Sequence, residues 1–127
     1  MKSEKHNEEL ELEIKRLQEK GFRVINLNNK SPDAIAIKGD KIYAIKVLGL
    51  SYYKKKYTWK GSYSIRQLLK VYHMFDGIII KNFYRKAPEG IRKPKLESKH
   101  YPTPAKKGGI PLFRVEKEIN KGDDGNG

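Results

Sequence analysis

The sequence predicts a single α/β domain in the element order αβββαβ, a central sheet with helices packed on it. Three observations carry this. One amphipathic segment near the start has helical spacing, two apolar runs joined by a tight turn signal follow it, and a second helical stripe leads directly into another apolar run. At 127 residues and 37% apolar content the chain is long enough for one compact core and short for two. The domain is expected over 1–120, with its core at about 6–83.

Each element has a local reason. In "NEELELEIKRLQEKGF", Leu10, Ile14 and Leu17 recur at spacings of four and three, acids crowd the first turns, basic residues the last, and Gly21 ends the pattern. This gives a helix from about 6 to 20. "FRVINLN" suits a strand packed against it. "DAIAIKGDKIYAIKVLGL" reads as a hairpin turning at Gly39 and Asp40, and both arms are apolar on both faces, as central strands are. A loop rich in Lys and Tyr is expected next. "SIRQLLKVYHMF" then places Ile65, Leu68, Leu69, Tyr72 and Phe75 on one helical stripe with Ser64 as cap, and "DGIIIKNF" gives a strand over 77–83. The segment at about 84–109, rich in Pro and Lys, reads as an extended basic loop. "IPLFRVEKEI", 110–119, reads as an edge strand, and 121–127 as a disordered tail.

Composition removes several classes of function. There are no cysteines, so disulfides and thiolate metal sites are excluded, and three scattered histidines, His6, His73 and His100, argue against structural zinc. Any metal would be held by oxygen. No apolar run reaches the roughly 18 to 20 residues of a membrane span, so a soluble, intracellular, cytoplasmic protein with no membrane partner is expected. Abundant Lys and Glu without Cys also lean toward adaptation to high temperature.

The charge is strongly localised. Residues 41–107 carry seventeen Lys and Arg against three acids, whereas 1–20 carry five against six. Such a surplus opposes the compact state unless a polyanion is the partner, and nucleic acid is the leading one. Lys54, Lys55, Lys56 and Lys60 are interleaved with Tyr52, Tyr53, Tyr57, Trp59 and Tyr63, rings that could stack on bases while the ammonium groups and Arg66 meet phosphates. Core packing of some of these rings competes with that reading.

The element order, the "PD" of Pro32-Asp33 opening the second strand, and a third strand of the form "YAIxVx" resemble the core of the PD-(D/E)xK nuclease superfamily, and within it the archaeal Holliday junction resolvases. The resemblance covers about two thirds of the chain. It implies a restriction-endonuclease-like core with a mixed sheet, DNA as partner, a symmetric homodimer, and a site built from Asp33, a Glu of the first helix (Glu9 or Glu13) and a Glu/Asp-x-Lys on the third strand. In that family two carboxylates hold Mg²⁺ or Mn²⁺, which polarises the scissile phosphate and activates water, while the lysine orients that water. Gln67 and Tyr72 are a weak match to a pair found on the second helix of some relatives.

The pattern breaks where the second ligand should be. In place of Glu-x-Lys the strand reads Lys46-Val47-Leu48. An ammonium about 4 Å from a divalent ion opposes its binding by roughly 8 kcal/mol at an effective dielectric near 20. The same arithmetic favours Lys46 standing where the metal would stand and pairing with Asp33. Two functions follow from the resemblance. One is a nucleic-acid-binding protein whose metal site is lost or altered. The other is a metal-dependent endonuclease whose site is rebuilt from Asp33, a helix Glu and a displaced lysine, Lys46 or one of Lys54 to Lys56. An RNA-binding module with stacking tyrosines is a third.

Overall fold

The computed structural model describes residues 4–28, 30, 32–58, 67, 68, 70–102, 119 and 120. It is a mixed α/β fold with a single six-stranded sheet. Helix α1 spans Glu4–Glu19, and the strands are β1 (Arg23–Asn26), β2 (Ala34–Lys38), β3 (Lys41–Tyr53), β4 (Lys56–Thr58), β5 (Gly77–Lys86) and β6 (Lys99–Pro102). The sheet runs β1-β2-β3-β5-β6, with β4 folded back on β3. All neighbours are antiparallel except β3 and β5, which are parallel. Residues 67, 68, 70 and 71 are helical and continue into a 3-10 turn, Tyr72–Met74, between those two strands. Among the described residues no helix is long and apolar enough to cross a membrane.

Helix α1 ends where its glycine predicts. Gly21 has φ +92, its N–H reaches Gln18 O at 3.0 Å and the Phe22 N–H reaches Leu17 O at 3.0 Å, closing the last turn with a left-handed residue. The apolar stripe then meets the sheet. Leu10 and Leu17 pack with Ala34, Ala36, Ile45, Val47, Ile79 and Phe83, the two small alanines of β2 letting the helix approach closely. On the opposite face Leu68 and Tyr72 pack with Ala44, Leu48, Ile78, Ile80 and Tyr101. Because side chains alternate along a strand, neighbouring residues of β3 serve different layers, which is why its apolar run is continuous.

Four elements differ from expectation. The Lys/Tyr segment after Leu50 is not a loop: β3 continues to Tyr53, turns at Lys54 and Lys55, and returns as β4, with Tyr52 opposite Tyr57. Both turn lysines have positive φ, 51° and 67°, the conformation a two-residue type I′ hairpin demands. Strand β5 runs to Lys86 rather than 83, and four residues of the expected basic loop form β6, whose Ile79↔His100 pairing extends the sheet. Ile119 and Asn120 are helical, and 110–118 lie outside the described residues, so the expected edge strand is not observed at its one described position. Trp59, Lys60, Arg66, Tyr63 and Ser64 also lie outside them.

Candidate functional site

The site grows out of a mismatch in strand length. The last pairing of β2 with β3 is Ala34↔Ile45, and Asp33 closes it by donating its N–H to Ile45 O at 3.0 Å. Beyond that point β3 runs on without β2. The next residue whose backbone turns to the same side is Val47, and side chains serve it: Asp33 Oδ2 accepts the Val47 N–H at 2.8 Å, and His6 Nε2 lies 2.9 Å from Val47 O. A carbonyl oxygen only accepts, so His6 Nε2 carries the hydrogen and donates it.

Lys46 completes the group. Its Nζ stands 3.5 Å from Asp33 Oδ2, and both side chains are fully buried. His6 Nε2 lies 3.7 Å from the same oxygen and is 3% exposed. That distance is electrostatic contact, since the imidazole's hydrogen bond goes to Val47. Burial pushes the Asp33 carboxyl up, but His6, Lys46 and the Val47 N–H together outweigh it and hold the carboxyl below the usual range. The expectation that Lys46 pairs with Asp33 is met in this geometry. Asp33 Oδ1 is buried and has no hydrogen-bond partner among the described residues.

The helix acids do not join this group. Glu9 pairs with Lys5 at 3.5 Å. Glu13 is buried, but Arg16 grips it with two hydrogen bonds of 2.8 Å and Ser98 Oγ donates a third at 2.7 Å. That hydrogen-bonded carboxylate raises the pKa of Arg16. Among the described residues no set of three His, Asp or Glu side chains could hold a metal ion. Around Asp33 stand an ammonium and an imidazole N–H, both donors, where Mg²⁺ or Mn²⁺ would need oxygen acceptors. The donor set does not fit those ions. Leu48, at the place of the lysine that the resemblance expects, is packed in the core at 6% exposure.

The aromatic and basic residues divide between core and surface. Tyr57 is corrected from the nucleic-acid surface to the interior: it is fully buried, its rings neighbours are Tyr52 and Tyr84 at 4.9 Å, and its hydroxyl donates to Arg92 O at 2.8 Å. Asn120 holds its backbone from both sides, accepting the Tyr57 N–H at 2.8 Å and donating to Tyr57 O at 2.9 Å. The reason is register, because Tyr57 sits opposite Tyr52 on the covered face of the sheet. Lys54, Lys55 and Lys56 are exposed at the hairpin tip, and Arg85 and Lys86 are exposed at the end of β5. Since β3 and β5 are parallel, these five cations share one end of the sheet, while Asp40 and Asp76 lie at the other. Asp76 there accepts the Ile42 N–H and donates its own N–H to Ile42 O, both at 2.7 Å.

His6 was not among the residues singled out from the sequence. Its only local signal is an imidazole among charged neighbours in the first turns of a helix. No protein-family model and no curated protein matches the chain.

Proposed function

We propose that the chain is a nucleic-acid-binding protein of the PD-(D/E)xK nuclease type, with DNA as its partner, in which Lys46 has taken the place of the metal ion. The observation that carries this is the buried Lys46 ammonium 3.5 Å from the Asp33 carboxylate. A lysine side chain is thus held at the carboxylate that the family would use to hold its metal ion. The order of α1, three antiparallel strands, a helical crossover and a strand parallel to β3 supports the resemblance that the sequence motif first suggests. The five exposed cations at the end of β3 and β5 support a polyanionic partner.

The test uses fluorescence anisotropy with labelled four-way-junction and linear DNA across a salt series, calorimetry with Mn²⁺, and a plasmid cleavage assay. Binding that weakens steeply with salt, with neither metal heat nor cleavage, is the expected result. Cleavage by the unmodified protein that disappears in Asp33→Asn would overturn the loss of the metal. Absence of DNA binding at low salt would overturn the function itself.

A further inference from the structure

The hairpin that β3 and β4 form stands over a groove of about 620 Å³, lined by Gly49, Ser51, Tyr52, Tyr53, Thr58, Arg85 and Lys86. We infer that this groove holds an unpaired segment of nucleic acid, with Tyr53 stacking on a base and Arg85, Lys86 and the turn lysines holding the flanking phosphates.

Four observations lead there. Tyr53 is 64% exposed, while Tyr57 is buried and the half-buried Tyr52, which also lines the groove, packs its ring against Tyr57. The Lys54 ammonium lies 5.4 Å from the Tyr53 ring centroid, so a cation and a ring are already paired in the arrangement that single-strand binders use. Gly49 leaves room for its neighbours: a Cβ there would stand 3.0 Å from Phe83 Cζ and 3.2 Å from Arg85 Nε, so the bare backbone lets the Arg85 side chain lie close over β3 without displacement. Finally, Lys54 and Lys55 both occupy left-handed backbone where Asn-Gly would sit with less strain. A fold that places two lysines at such positions gives up local stability for two charges at the tip. A duplex hides the faces of its bases, so an exposed ring among cations gains most from a strand whose bases are unpaired.

This inference rests on the reading that the chain binds nucleic acid, and the experiment separates the two. Anisotropy is measured with labelled oligo-dT, oligo-rU and a blunt duplex of equal length, for the unmodified protein, Tyr53→Phe, Tyr53→Ala and Arg85→Ala, with circular dichroism confirming each fold. The unmodified protein is expected to prefer the single strands over the duplex. Tyr53→Ala should weaken single-strand binding roughly tenfold or more, while Tyr53→Phe, which keeps the ring, stays within about twofold. Arg85→Ala should lower the log–log salt slope by about 0.7. Comparable binding of oligo-dT and oligo-rU would assign recognition to stacking and phosphate, and a large gap would assign the source to the preferred sugar; either accords with the groove. Binding that is unchanged in Tyr53→Ala, or stronger to duplex than to single strands, overturns the groove but leaves the general function standing. No binding of any probe overturns both.

Discussion

Replacing Lys46 with methionine isolates the charge, because methionine keeps an unbranched chain of similar length. At 3.5 Å the ammonium and the Asp33 carboxylate attract by about 5 kcal/mol at an effective dielectric near 20. Removing one partner of a buried pair leaves the other charge uncompensated, and typically costs about 3–5 kcal/mol. His6 and the Val47 N–H still face the same oxygen, so the lower part of that range is expected here. For 127 residues the entropy of unfolding is about 0.27 kcal/mol per degree, and the loss corresponds to a fall in melting temperature of roughly 10–15 °C. Differential scanning calorimetry of Lys46→Met, Asp33→Asn and the double variant measures it as a thermodynamic cycle. The double variant should recover about half of the loss or more, since asparagine can still accept the Val47 N–H without carrying a charge. A Lys46→Met melting temperature within about 2 °C of the unmodified protein, or strict additivity in the cycle, would refute the pairing as the reason for the buried lysine.

Other outcomes follow from the same structure. Asp33 has its carboxyl pKa lowered by folding, so its contribution is complete above its ordinary value of 3.8 and is lost as pH falls below it toward the folded value; the acid limb of a melting-temperature profile should be shallower in Asp33→Asn. Leu17→Ala, at a fully buried position under α1, should cost about 2–5 kcal/mol in urea unfolding. Replacing Lys54-Lys55 by Asn-Gly should raise the melting temperature by a few degrees, because the new pair suits the turn, while lowering the log–log salt slope for DNA by about 1.5.

How far the sequence could be read depends on whether the decisive information is local. Helix α1 and the β2–β3 hairpin are legible because their stripe, caps and turn residues lie within a few positions of each other. The β3–β4 hairpin is not, because its turn is Lys-Lys where Asn or Gly would have marked it, and the Tyr52–Tyr57 pairing that stabilises it is visible only once the strands are in register. Strand β6 is four residues long and exists through its pairing with β5, whose partners lie 19 to 25 positions earlier in the chain. At the site, Asp33 and Lys46 could be linked beforehand, since a buried lysine needs an acid and the hairpin register sets the two nearly opposite. His6 could not, because nothing within the helix says that its one imidazole descends onto the middle of a strand about forty residues later.

The same imidazole bears on how copies of the chain treat each other. Between its last pair with β2, Ala34↔Ile45, and its first with β4, Ser51↔Thr58, β3 has no strand beside it on that edge among the described residues, and such a gap presents open N–H and C=O groups to any passing backbone. Here the Asp33 carboxylate and the His6 ring fill the two positions at Val47 that a further strand would have filled. They act as a two-residue cover on an otherwise sticky edge. Removing His6, by substitution with alanine or by trimming the chain past it, is therefore expected to show itself first as concentration-dependent self-association in sedimentation experiments, ahead of any large loss of secondary structure.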